Sequence, residues 1–207
     1  MAVGVPLLNL CFSQPFFFFP KEELQNLRQL GAMLQGHPDM LKVPGVDMST
    51  GSLGQGFSTA VGMALGGKLD GASWKVYTLL GDGELQEGLI WEAAMSAAHY
   101  GLSNLVAFVD NNNLQIDGDI SKVMNPYPID EKFAAFGWNV INVEDGNDMD
   151  QLRSALMQAE QCIDKPSVLV CKTVKGKGVS FMENNAGWHG KGPNAEQCAQ
   201  ALAELDA

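Results

Sequence analysis

From position 21 onward the apolar residues recur with two spacings, and the changes of spacing mark out the elements. Leu24, Leu27, Leu30 and Leu34 repeat at helical intervals, which predicts a short helix over 21–34. Gly36-His37-Pro38 ends it, and a loop rich in Pro and Gly runs on to Thr50. Residues 51–69 read as a second helix that starts near Ser52 or Leu53. Its Gly54, Ser58, Gly62 and Gly66 share one face. A face that smooth lets another backbone approach closely, either inside the same domain or from a second subunit. Residues 76–80 are almost continuously apolar, the pattern of a strand buried on both faces. Residues 84–100 follow as a helix stopped by Gly101. Ala93, Ala94, Ala97 and Ala98 leave this helix little polar surface, so it should be largely buried. Further strands are expected at 105–109, 138–143 and 167–173. Helices are expected at 133–136, at 148–163 with Asn147 or Asp148 as its cap, and at 195–205.

Strands alternating with helices imply an α/β fold, a parallel sheet with helices on both faces. Ligands of such sheets sit beyond the carboxyl ends of the strands. Two segments with chemistry lie at such ends: Leu79-Leu80-Gly81-Asp82-Gly83-Glu84, and Asp110-Asn111-Asn112-Asn113-Leu114 about thirty residues later. Gly81 and Gly83 permit a sharp turn and a close approach of backbone to ligand. The helix that follows offers free amides and partial positive charge to a phosphate. Asp82 is a hard oxygen ligand for Mg²⁺, which prefers oxygen donors and shares them with bound phosphates. Asn112 can add its side-chain carbonyl and Leu114 its backbone carbonyl. Gly-Asp-Gly alone would be read as a turn. Strand, Gly-Asp-Gly, Ala-rich helix, strand and Asn cluster together are far more specific. The chain shows no Ser-His-Asp order, no CxxC and no HExxH, so its chemistry should belong to a bound cofactor.

Composition narrows the partners. The 207 residues fit one domain with a sizeable core, at 46% hydrophobic and 18% charged. A formal charge of -11 argues against nucleic acid, which requires clustered Lys and Arg. A local metal would still let so acidic a chain hold a diphosphate. Cys11, Cys162, Cys171 and Cys198 lack metal-ligand spacing and read as reduced cytosolic thiols, so a cytoplasmic location is expected. Residues 1–19 form an atypical apolar segment without Lys or Arg, closing on Phe16-Phe17-Phe18-Phe19-Pro20. A signal peptide would begin with basic residues, and Pro6, Gln14 and Pro15 interrupt any membrane helix. No membrane partner is expected.

The span from Gly81 to Asn112 resembles the thiamine diphosphate motif. From about Pro20 to the end the chain resembles transketolase, most closely the separate amino-terminal subunit of split bacterial transketolases. The resemblance is carried by Gly36-His37-Pro38, by Ser49-Thr50-Gly51-Ser52-Leu53-Gly54-Gln55-Gly56, and by Gly81-Asp82-Gly83-Glu84-Leu85-Gln86-Glu87-Gly88. Asp110-Asn111-Asn112, Ile116-Asp117-Gly118, Lys172-Thr173-Val174-Lys175-Gly176-Lys177-Gly178 and Trp188-His189-Gly190 complete it.

The resemblance implies a thiamine diphosphate-binding fold over 20–207, in its diphosphate-binding form. It implies that Asp82, Asn112 and the Leu114 carbonyl hold Mg²⁺ or Ca²⁺. Gly51, Ser52, Leu53, Gly83, Asn112 and His189 would line thiamine diphosphate. His37 and His189 would meet the donor sugar, and Glu87 would join a carboxylate network at a dimer interface. A carboxyl-terminal partner subunit would supply the pyrimidine-side glutamate, in a homodimer or heterotetramer acting on sugar phosphates. Without the resemblance His37 reads as a surface turn residue. Lys175 and Lys177 read equally well as solvated charges or as groups steering phosphorylated sugars. The family's upstream Ser-x-Gly-His segment has no match in residues 1–19, so an altered or shortened amino terminus is expected. Other thiamine diphosphate enzymes would keep Gly-Asp-Gly and the Asn pair but lack Leu-Gln-Glu-Gly and Lys-Gly-Lys-Gly-Val. A split transketolase for an unusual sugar, or a non-catalytic chain that only binds a partner, remain as alternatives.

Overall fold

The computed structural model describes residues 19–206. The segment 1–19 therefore lies outside the described residues except for Phe19. The chain divides into two compact bodies, residues 1–56 and 57–207.

In the first body the predicted helix over 21–34 is not formed. A 3-10 helix at Lys21–Asn26 follows Pro20, and then the chain turns back on itself. Arg28 and Gly31 take φ of 63° and 80°, and the Arg28 amide donates to the Leu34 carbonyl at 2.8 Å. Left-handed residues cannot continue a right-handed helix. The leucine spacing nonetheless marks a core: Leu34 is buried with Phe19, Val43 and Val46, and Leu24, Leu27 and Met33 pack against them. Leu30, the fourth member of the pattern, is fully exposed.

Helix α1 (Gln55–Leu69) begins a few residues later than expected. Strand β1 (Val76–Gly81) leads through a 3-10 turn at Gly83–Gln86 into helix α2 (Gly88–His99). The single helix expected over 84–100 is thus two pieces, because Glu87 takes an extended conformation between them. Strand β2 (Leu105–Asn111) is followed by a hairpin that the apolar pattern does not signal, β3 (Leu114–Gln115) with β4 (Gly118–Asp119). Helices α3 (Ile120–Val123) and α4 (Ile129–Ala135), strand β5 (Asn139–Val143), helix α5 (Met149–Gln161), strand β6 (Ser167–Lys172) and helix α6 (Ala195–Leu205) complete the order. The Asp148 side chain caps α5 as expected, and Asn194 with Gln197 forms a capping box on α6.

The four-stranded sheet is parallel throughout, in the order β1-β2-β6-β5. Alternate residues of each strand feed two separate cores. Val76, Leu80, Leu105, Ala107, Val109, Val168 and Val170 pack with α1, α2 and α4 on one face. Val106, Leu169, Cys171 and Val143 pack with Ala155 and Ala159 of α5 on the other. Ala93, Ala94 and Ala97 lie inside the first of these cores, so they are not a surface for a second subunit. Gly62 and Gly66 of α1 do face away from it, and a Cβ at either would touch nothing.

One expectation fails on β1. Tyr77 and Leu79 are exposed, because among the described residues β1 is an edge strand whose α5-side face has no helix over it. A run of apolar residues reports that a strand is apolar, and cannot report how far the covering helices extend.

Phe133 stands at the centre of the larger core, its ring 5.2 Å from Trp91 and 5.3 Å from Trp138 between centroids. The Trp138 indole N–H donates to the Ala94 carbonyl at 2.9 Å, fixing α2 against the start of β5. Phe133→Ala is expected to cost about 3–5 kcal/mol, read by chemical denaturation, because the rings around it cannot collapse into the space.

Candidate functional site

The parallel register puts Gly81 beside Asp110, so the turn after β1 and the turn after β2 emerge together. Asp82, only 2% exposed, spans them. Its Oδ1 accepts from the Gly83 amide at 2.8 Å and its Oδ2 from the Asn113 amide at 2.6 Å. Burial pushes the Asp82 carboxyl up to about 6. Asp110 adds to that, and the two amide bonds and Lys175 oppose it.

The second turn is built around Asn112 and Asn113. Asn112 is buried, and its Oδ1 accepts from the Leu114 amide at 3.0 Å. Asn113 is left-handed, with φ of 63°, and its carbonyl accepts from the Ile120 amide at 3.0 Å. The Tyr127 hydroxyl donates to Asn111 Oδ1 at 2.6 Å and also meets Asn113 Oδ1. Asp82 and Asn112 are therefore hard oxygen groups on the turns that leave two adjacent strand ends. Each carboxylate or amide oxygen keeps a lone pair beyond the one used.

The loop after β6 supplies the rest. Thr173 binds back to β2, its amide donating to the Asn111 carbonyl at 3.2 Å and its hydroxyl to Asp110 Oδ1. Asn147 Oδ1 accepts from the Val174 amide at 2.9 Å, and the Lys175 carbonyl accepts from the Asn184 amide at 2.9 Å. The Trp188 indole donates to the Phe181 carbonyl at 2.9 Å, and Ser180 binds Glu204 of α6 through both its amide and its hydroxyl. This framework separates the two lysines that the sequence leaves equivalent. Lys177 is exposed, 4.0 Å from Glu183. Lys175 is 8% exposed, and its ammonium has no hydrogen-bond partner. Both ring nitrogens of His189 are likewise buried and unpartnered. Burial, and then Lys175, holds the His189 imidazolium below its ordinary range, so the ring is neutral at pH 7. Burial also lowers Lys175, against the opposing pull of Asp110 and Asp82.

The other predicted residues are placed as follows. Glu87 is exposed at the start of α2, making no side-chain cap. The buried carboxylate of this turn is its neighbour Glu84, whose Oε2 accepts from the Gly81 amide at 3.2 Å. Neither Gly81 nor Gly83 has a positive φ. A Cβ on Gly81 would touch no atom, and one on Gly83 would make only ordinary contact with Gln115. The chain itself therefore does not demand glycine at either position. His37, Gly51, Ser52 and Leu53 belong to the first body. There Gly51, with φ of 127°, lies under the His37 ring, and a Cβ would fall 2.3 Å from it. His37, Ser52 and Leu53 are exposed. Sequence reasoning misses Tyr127 and Glu84, and nothing local marks them, since their importance comes from which strand end they reach.

A parallel α/β sheet with a carboxylate, amide oxygens and an unpartnered lysine and histidine at its strand ends is the layout of a domain for an anionic cofactor. The family model for the transketolase thiamine diphosphate binding domain matches residues 16–206, and the chain belongs to that family. It is 46% identical over 189 residues to the 6-deoxy-6-sulfo-D-fructose transketolase subunit SqwG of Clostridium sp. (strain MSTE9), covering 91% of this chain and 68% of that one. It is 43% identical over 188 residues to an apulose-4-phosphate transketolase subunit of Phocaeicola vulgatus, covering 91% and 66%. The transketolase of Pichia stipitis, solved in complex with sedoheptulose 7-phosphate, superposes with a TM-score of 0.90 at 30% identity, over 97% of this chain and 31% of that one. The chain thus spans about two thirds of these split subunits and about a third of the single-chain enzyme. It has the transketolase-type amino-terminal form, with the thiamine diphosphate-binding fold. Among the described residues no helix is long and apolar enough to cross a membrane.

The loop that carries Lys175 and His189 depends on left-handed glycines. Gly176 has φ of 74°, and a Cβ there would fall 2.6 Å from the Met182 carbonyl oxygen; Gly190 has φ of 86° with open space around it. Gly176→Ala should lower the thermal midpoint clearly more than Gly190→Ala. Both carry the left-handed strain of about 1–2 kcal/mol, and only the first also collides with backbone.

Proposed function

We propose that this chain, with residues 20–207 as its cofactor-binding domain, is the thiamine diphosphate and metal half of a split transketolase. What supports this reading is that Asp82 joins the turns after β1 and β2, with the buried, unpartnered Lys175 in electrostatic reach of both Asp82 and His189. These groups fit the cofactor. Oxygen donors suit Mg²⁺ or Ca²⁺, and among the described residues no cluster of three or more His, Cys, Asp or Glu side chains suggests a softer metal. The open space at Gly81 would let a ligand lie against the backbone.

In this reading Asp82, Asn112 and the Leu114 carbonyl hold the cation, and Gly83 and Gly51 to Leu53 line the cofactor. His189 and His37 contact the sugar. His189, neutral at pH 7, can donate one hydrogen bond and accept another without adding charge. Tyr127 keeps the Asn111–Asn113 turn in place. Thiamine diphosphate, when bound, supplies the carbanion chemistry for moving a two-carbon ketol unit, and the protein supplies binding and electrostatics. A carboxyl-terminal subunit would complete the site. Glu87 and the outward Gly62 and Gly66 face would serve contacts in a homodimer or heterotetramer.

A second reading, in which the sugar is unusual, is favoured by the two split relatives, whose names carry a sulfonated fructose and apulose 4-phosphate. The test is ketol transfer with thiamine diphosphate and Mg²⁺, from xylulose 5-phosphate and, separately, from 6-deoxy-6-sulfofructose. No turnover is expected from the chain alone, and turnover is expected once the carboxyl-terminal subunit is added. Full activity of the isolated chain would overturn the split-subunit reading.

Metal binding should depend on pH through Asp82. Its folded-state pKa of about 6 means that below this pH a proton occupies the carboxylate and a cation must displace it. Affinity for Mg²⁺ and cofactor should therefore fall about tenfold between pH 7 and pH 5. Asp82→Asn should abolish the metal-dependent part of cofactor binding. Calorimetry showing unchanged affinity in that variant would remove Asp82 from the metal site.

A further inference from the structure

The His189 ring has no side-chain bonds of its own to aim it, since both ring nitrogens are buried without hydrogen-bond partners. Its amide donates to the Ala186 carbonyl at 2.9 Å, at the end of a 3-10 turn at Ala186–Trp188. The direction of the ring therefore depends on where that turn is held. Trp188 holds it. The Trp188 ring meets the Phe181 ring edge-on with centroids 5.3 Å apart, and its indole N–H donates to the Phe181 carbonyl at 2.9 Å. The Lys191 ammonium lies 5.0 Å from the centroid of the same indole.

Phe181 follows Ser180, and Ser180 is fixed from outside the loop. The Ser180 amide donates to Glu204 Oε2 at 2.6 Å, and its hydroxyl to Glu204 Oε1 at 2.8 Å. Gln200, one turn earlier on α6, donates to Glu204 Oε1 at 2.7 Å. The Ser180 amide, then Gln200 and the Ser180 hydroxyl, hold the Glu204 carboxyl below its usual range, so it is ionised at pH 7 and accepts all three. Gly178 lies against the same end of the helix: its φ is 91°, and a Cβ there would fall 2.9 Å from Leu205 Cδ2. Of the 11 residues of α6 only Ala201 is buried, so core packing by itself attaches this helix weakly. The loop and the helix brace each other.

We infer that Glu204 is a positioning residue for His189, acting through Ser180, Phe181 and Trp188. Its importance to the site rests on the reading above, in which His189 lines the cofactor and meets the sugar. A side chain that must stay aimed without bonds of its own needs neighbours that lock its backbone. The terminal helix supplies that lock from the far side of the loop.

The experiment uses the full chain with Glu204→Ala, Glu204→Gln and Ser180→Ala. The sequence has 3 histidines, so ring-proton NMR resolves His189, assigned by the loss of its signal in His189→Asn. In Glu204→Ala the ring should gain water, and its titration midpoint should rise toward the ordinary histidine value. Lys175, which also lowers His189, is untouched in every variant. Ser180→Ala keeps the amide bond and should move the midpoint less. In Glu204→Gln the side chain can accept from the Ser180 amide and donate to its hydroxyl, so the midpoint should stay close to wild type. Affinity for thiamine diphosphate with Mg²⁺, by calorimetry, should fall about three- to tenfold in Glu204→Ala. Should Glu204→Ala fail to fold, Ser180→Ala carries the same comparison. An unchanged His189 midpoint in the folded variants, with or without a lower thermal midpoint, would make the contact merely structural and overturn the inference, leaving the cofactor reading standing. A shift as large in Glu204→Gln as in Glu204→Ala would trace it to the lost charge and overturn it as well. A moved His189 with unchanged cofactor affinity would confirm the positioning role and remove His189 from the cofactor lining.

Discussion

One hydrogen bond organises this site: the Asn113 amide to the Asp82 carboxylate, at 2.6 Å. It ties the turn after β1 to the turn after β2 where the parallel register leaves both strand ends side by side. A buried carboxylate is costly unless hydrogen-bonded, and two backbone amides meet part of that cost here. The remainder shows as a carboxyl that ionises only near pH 6. A positive charge placed beside the carboxylate would lower that cost further.

Around that bond the sheet acts as a rigid frame, and the chemistry is carried on three turns. Phe133, Trp91 and Trp138 fill one side of the frame, and α5 packs over β2, β6 and β5 on the other. The Asn111–Asn113 turn is braced by Tyr127 and the hairpin, and the loop after β6 by Thr173, Asn147 and Glu204. Such bracing permits Lys175 and the ring nitrogens of His189 to stay buried without partners. A loose loop would relax by turning both side chains to water. Stability is lost at these two positions, and the well-packed core offsets the loss.

The likeness to split transketolase subunits fits this division of labour. The turns that carry Asp82, Asn112 and Lys175 all leave the carboxyl ends of the parallel strands. The Gly51 and His37 pair, ring over glycine, is a self-contained device of the first body. It shows why glycine stands at Gly51, where φ is positive and a Cβ would overlap the imidazole.

Much of this is legible in the order of residues alone. Strand and helix alternation, the adjacency of the turns that carry Asp82 and Asn112, the cap at Asp148 and the terminal helix follow from short-range patterns, and the structure contains them. The family motifs are legible for the same reason, each being a few contiguous residues with fixed chemistry. Other features have no local signal. The leucine spacing at 21–34 reports a small core but not its turn, since left-handed Arg28 and Gly31 depend on closure to Leu34. Tyr77 and Leu79 look buried in a run of apolar residues and lie exposed, because coverage depends on where distant helices stop. Lys175 and Lys177 look alike in sequence, and only tertiary structure buries one and leaves the other in water. Local patterns determine what an element is made of; burial is set by segments far away in the chain, and burial is what makes a lysine or a carboxylate chemically useful.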